Sequence, residues 1–99
     1  MKFFLKTPEE VAKELSIRLK QIRLSKKWKR STLSERSGVS EASLRRFEST
    51  GKISLNNFLK LMFSLERLDE IDNILQPETV QSIKDLENMQ QKMPKRGSV

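Results

Sequence analysis

Apolar residues recur along this chain at helical spacing and not in strand-like alternation. Val11, Leu15, Leu19 and Ile22 fall four, four and three apart, which predicts one buried stripe on a first helix. Thr7-Pro8-Glu9-Glu10 supplies its start. Thr stands at the N-cap, Pro at the first helical position, and Glu10 closes a capping box. Phe4 or Leu5 could staple onto Val11 or pack elsewhere; the pattern leaves both open. Lys13, Lys20, Lys26 and Lys27 lie off the stripe, and the helix is expected to end between Ser25 and Lys27. Trp28 then enters the core or closes its edge.

Lys29 to Ser37 reads as a short second helix, and Gly38 stands where a chain leaves a helix in the left-handed conformation. Val39 is apolar and Ser40 is a good N-cap for a third helix, Glu41 to Glu48. Leu44 and Phe47 are expected to point inward, and Glu41, Ala42, Arg45 and Arg46 outward. Ser49-Thr50-Gly51-Lys52 reads as a turn. Ser54 caps a fourth helix with the apolar set Leu55, Phe58, Leu59, Met62 and Leu65. Asp69 to Leu75 reads as a fifth, with Leu68, Ile71, Ile74 and Leu75 apolar. Gln76-Pro77-Glu78 breaks the chain, Ser82 to about Gln91 reads as a weak last helix carrying Ile83, Leu86 and Met89, and residues 94–99 as a disordered tail. The expected organisation is all-α: one five-helix domain over residues 7–75, then an extension over 76–99 with a short helix and a flexible basic tail.

Ninety-nine residues allow one modest core, and an apolar fraction of 35% argues against a large buried substrate cavity. Cysteine and histidine are absent, which excludes disulfides, thiolate nucleophiles, Cys/His metal sites and His general bases. Carboxylate, Lys or Ser chemistry stays formally open. With no Gly-rich phosphate loop and no Gly-x-Ser-x-Gly, the expectation is a protein that is not an enzyme and holds no cofactor. The opening apolar run, Phe3-Phe4-Leu5, is too short for a signal peptide or a membrane span, so no membrane partner and a cytoplasmic, nucleoid-associated location are expected.

Charge adds a direction. The chain carries a formal +7, and residues 1–30 alone hold ten basic and three acidic residues. A basic pole attracts phosphates without choosing a sequence. It also keeps a helix face solvated, and charge alone leaves the two readings open.

Two short helices joined by a Gly-containing turn make a helix-turn-helix, which can push its second helix into the major groove. Leu33, Val39, Leu44 and Phe47 would lock the angle between them, and the small Ser34 would let them approach. The run from Trp28 to Gly51 resembles the lambda-repressor/Cro-type (xenobiotic-response-element) family. Leu33, Glu35, Gly38, Val39, Ser40, Phe47, Glu48 and Gly51 stand where that family's pattern wants them. Arg30 departs from the family's usual Gln, and Ser34 from its usual Ala. The resemblance, over about Ile17 to Leu75, implies a lambda-repressor-like DNA-binding domain. It puts Glu41, Ala42 and Arg45 on base-reading positions. Arg45 could fork onto a guanine edge and Glu41 accept from a cytosine amine. An i, i+4 ion pair on a solvated face is the alternative for those two residues. Arg30, Ser31, Ser40, Ser43, Arg46 and Lys52 are phosphate candidates. Arg23 and Glu48 match a structural salt bridge joining the first helix to the third.

The segment from Leu65 to Pro77, with the Lys-Arg-Gly tail, resembles HipB-like antitoxins, although Glu66 sits where that group often has Gly. The implied partners are a palindromic double-stranded DNA operator, a second copy in a homodimer, and a HipA-like kinase toxin. Leu68, Ile71 and Ile74, with the Phe3-Phe4-Leu5 arm, could form the dimer interface or belong to the monomer core. A stand-alone or phage-type repressor stays open, as does an interaction module that keeps the fold without reading DNA.

Overall fold

A computed structural model describes residues 6–77. Over that span the chain is all-helical: α1 (Pro8–Ser25), α2 (Arg30–Ser37), α3 (Glu41–Thr50), α4 (Leu55–Ser64) and α5 (Leu68–Asp72). The Phe3-Phe4-Leu5 arm, the expected helix from Ser82 and the tail at 94–99 lie outside the described residues.

Local chemistry sets most helix starts. The Thr7 hydroxyl accepts from the Glu10 amide at 3.1 Å, and the Glu10 carboxylate accepts from the Thr7 amide at 3.0 Å. Ser40 and Ser54 cap α3 and α4 by accepting from the amides of Ser43 and Asn57. Each such bond satisfies an amide that the first helical turn leaves without a partner. Gly38 closes α2 at φ +81, and Gly51 closes α3 at φ +83. Helix α3 therefore runs on through Ser49 and Thr50, two residues further than the turn expected there. The Thr50 hydroxyl donates back to the Arg46 carbonyl within that last turn.

Helices α1 and α4 close on left-handed residues other than glycine, Lys27 (φ +60) and Glu66 (φ +61). Behind Lys27, the Trp28 amide donates to the Arg23 carbonyl, and behind Glu66 the Arg67 amide donates to Met62. Both are Schellman closures, and they explain why a position such as Glu66 favours Gly.

The core is Leu19, Leu33, Val39, Leu44, Phe47, Leu61 and Leu65, and the Phe47 ring meets Phe58 edge-on at 5.8 Å. α3 sits against α1 and α2, and α4 against α2 and α5. Trp28 is half-buried and closes the core edge, with the Arg36 guanidinium 4.5 Å from its ring centroid.

Several apolar assignments shift. On α1, Val11 is exposed, and the line facing α3 runs through Ala12, Ser16, Leu19 and Arg23, with Ser16, Leu19 and Arg23 buried. The cause is backbone proximity: a Cβ at Gly51 would lie 2.9 Å from the Lys13 amide nitrogen, so α1 must present small residues there. On α4, Leu55 is exposed and Leu61, absent from the expected apolar set, is fully buried. The buried face follows Phe58, Leu61, Met62 and Leu65. α5 is shorter than expected, with Ile71 half-buried and Leu68, Ile74 and Leu75 exposed.

Candidate nucleic-acid interface

The α2–turn–α3 corner is fixed from both sides. Inside, Leu33, Val39 and Leu44 are fully buried. Across the turn, the Ser34 hydroxyl donates to the Val39 carbonyl at 2.6 Å, and the Val39 amide donates to Ser37 Oγ at 3.1 Å. Ser34 thus stitches the turn as well as allowing close approach. Its hydroxyl provides a bond that an Ala at this position lacks.

The far end of α3 is anchored by ions. Arg23 grips Glu48 with two bonds, Nε to Oε2 at 2.8 Å and Nη2 to Oε1 at 3.1 Å, and gives Nη1 to the Trp28 carbonyl at 2.8 Å. Their side chains are 5% and 2% exposed. Arg30, at the first position of α2, adds Nε to Glu48 Oε1 at 2.9 Å while its side chain stays 35% exposed. One buried carboxylate therefore holds two guanidiniums, and the cluster is net positive toward its open side. The Arg30 part of this triad has no precursor in the sequence reading. Its only signal was a cation at the start of α2 in place of a neutral amide.

The opposite end of α3 projects into solvent. Glu41, Ala42, Arg45 and Arg46 are exposed. Glu41 and Arg45 approach to 3.9 Å, with side chains 47% and 59% exposed. That contact is a loose i, i+4 pair of little energetic weight, so both side chains are available to a partner.

The phosphate candidates fall into separate groups. Ser43, Arg46 and Lys52 share a concavity of about 220 Å³ with Ile53, Ser54 and Asn57, at the junction of α3 and α4. Ser40 sits at the α3 N-cap, its hydroxyl shared between the amide and hydroxyl of Ser43. Ser31 is exposed on the first turn of α2 beside Arg30, and Lys29 provides no side-chain cap there. The sequence reading missed Asn57 as part of the α3–α4 concavity. The signal for it was an amide side chain three residues after a Ser N-cap that closely follows a lysine.

Among the described residues no group of His, Cys, Asp and Glu is arranged to hold a metal ion, and no helix is long and apolar enough to cross a membrane. No family model matches this chain, and neither does any curated protein.

Proposed function

We propose that this protein is a sequence-specific DNA-binding transcriptional autorepressor with a lambda-repressor/Cro-type domain. It acts as a homodimer on a palindromic operator and serves as the antitoxin of a HipA-type kinase toxin. One observation carries the DNA reading: α3 is clamped at its C-terminal end by the buried Arg23–Glu48 pair and leaves Glu41, Ala42 and Arg45 exposed at its N-terminal end. A rigidly held helix with a polar, protruding start is what major-groove readout needs. In this reading Arg45 and Glu41 separate from each other to meet base edges. Arg30, Ser31, Ser40, Ser43, Arg46 and Lys52 meet backbone phosphates on either side. Two copies match two half-sites by the symmetry of a palindrome. The protein works in the cytoplasm, associated with the nucleoid.

The antitoxin role rests on the resemblance of the segment after Leu65. A second reading, a module whose main partner is another protein, draws on Leu55 and Phe63, both 70% exposed on α4. A toxin surface there would serve both readings.

The test is a salt series on binding to the DNA upstream of the protein's own gene. Arg45→Ala should weaken binding by about 1–3 kcal/mol and relax preference at one base pair. Arg30→Ala should weaken it on every sequence and flatten the salt dependence by about one unit of slope. If both variants bind as the parent does, the α3 face is not the reading surface. Lack of an adjacent kinase-like reading frame, or failure to co-purify with its product, would remove the antitoxin role and leave the repressor.

A further inference from the structure

An apolar groove of about 420 Å³ runs between α1, α4 and α5. Its walls are Leu15 and Ile22 from α1, Phe58 and Met62 from α4, Ile71 from α5 and Ile74 from the turn after it. Arg18, Arg67 and Glu70 line it as well, with Arg67 Nε 2.7 Å from the Glu70 carboxylate. Open apolar surface of this kind in so small a domain calls for an occupant. The described chain ends at this groove: Ile74 lines it, Leu75 turns in the left-handed region at φ +60, and Gln76 and Pro77 follow.

The residues beyond carry a matching face. Ile83, Leu86, Met89 and Met93 stand three, three and four apart, which places them on one side of a helix. Lys84, Asp85, Glu87 and Lys92 all fall off that side and balance in charge, as an amphipathic segment with one face to bury requires. Pro94 ends the pattern. Residues 82–93 would make a helix of about 18 Å, and the linker from Gln76 to Gln81 reaches about 20 Å when extended, enough to turn back along the groove. A helix this short is marginal alone, but a short tether raises its local concentration into the millimolar range.

We propose that residues 82–93 form an amphipathic helix that docks its Ile83, Leu86, Met89 and Met93 face into the α1/α4/α5 groove of the same chain. The inference is independent of DNA binding. It completes the core with a sixth helix, in a groove whose lining includes none of Glu41, Ala42 and Arg45.

The experiment uses the full chain and two substitutions at positions that do not build the core: Leu86→Asp in the segment, and Ile74→Asp in the groove, where Ile74 is 56% exposed. Methyl NOEs from Ile83, Leu86 and Met89 to Ile22, Phe58 and Ile71 are expected in the parent. Amides 83–93 should exchange at least about tenfold slower than in an unstructured chain. Either substitution should abolish that protection while α1 to α3 keep theirs. Unprotected amides in the parent, or protection that survives Ile74→Asp, would overturn the proposal. A mixed-label sample separates the remaining occupants. NOEs only between differently labelled chains would replace the intramolecular helix with a second copy's segment, and groove contacts to the α5 of a second copy would replace it with a direct dimer face.

Discussion

Helix α3 carries ion pairs at both ends, Arg23 and Arg30 on Glu48 at one and Arg45 with Glu41 at the other, and the Arg23–Glu48 and Glu41–Arg45 pairs differ in burial and in geometry. Glu48 near its C-terminus is 2% exposed in its side chain and holds Arg23 at 2.8 Å with two bonds. Glu41 at its N-terminus is half exposed and only 3.9 Å from Arg45. A buried carboxylate has lost its water, so its stability depends on having its cations in place, and removing one partner leaves a desolvated charge. An exposed pair gives up little when it separates, because water replaces each partner. The same residue types thus anchor the helix at one end and leave groups free for recognition at the other.

The largest expected effect breaks the anchored end. Glu48→Ala strands Arg23 in the core and should cost about 3–5 kcal/mol in urea unfolding, enough to unfold much of the population of a domain of this size. A cost under about 1 kcal/mol would mean that the triad is solvated after all and that the two ends of α3 are alike. Arg30→Ala, which removes the more exposed of the two cations, should cost clearly less than Arg23→Ala.

Next in size is Gly51→Ala at the foot of the same helix. It forces a side chain into the left-handed region at φ +83 and against the Lys13 amide at 2.9 Å. Gly38 has almost the same φ, +81, with nothing near its missing Cβ. Gly38→Ala should cost about 1–2 kcal/mol from conformation alone, and Gly51→Ala should exceed it. Equal costs in thermal unfolding would show that α1 can move away from α3.

The exposed end should respond in the opposite sense. Arg45→Ala should change stability by no more than about 0.5 kcal/mol while weakening operator binding. A large stability loss would mean that the Glu41–Arg45 pair is structural.

The smallest effect belongs to a third pair, exposed like the second. Lys6 donates to Glu14 at 2.9 Å, and that hydrogen bond holds the Glu14 carboxyl below its ordinary range. The folded state then binds its proton less readily than the unfolded state. The pair's contribution is present above the ordinary carboxylate pKa and is lost as pH falls through the lowered one. Lys6→Ala should therefore make the acid side of the stability–pH curve slightly shallower. The change should shrink further in high salt, because both groups face water.

Some of these features are readable from the chain because they are local. The Thr7–Glu10 box, the Ser40 and Ser54 caps and the Gly38 turn each depend on groups within three or four residues, so composition at a fixed offset suffices. The outward placement of Glu41, Ala42 and Arg45 follows from helical periodicity once Leu44 and Phe47 are known to face in. Other features were not readable. A hydrophobic stripe through Val11 is the natural expectation from spacing, yet the contact with α3 selects Ser16 and Arg23 on a neighbouring face. Likewise Leu55 is as apolar as Leu61, and only the position of α2 and α3 decides which is buried.

Sequence alone thus determined that residues 6–77 are helical, where the Thr7, Ser40 and Ser54 caps and the Gly38 turn fall, and which face of α3 meets solvent. Those are short-range matters of backbone hydrogen bonding and helical period. The tertiary structure decided which polar groups lie inside: spacing and periodicity did not place Arg23 or Glu48 there, the family resemblance implied their pair, and Arg30 was expected on a phosphate. Arg23 and Glu48 are separated by 25 residues, and Arg30 and Glu48 by 18. A buried charge is tolerable only beside its partner, and that proximity exists only once α1, α2 and α3 have packed.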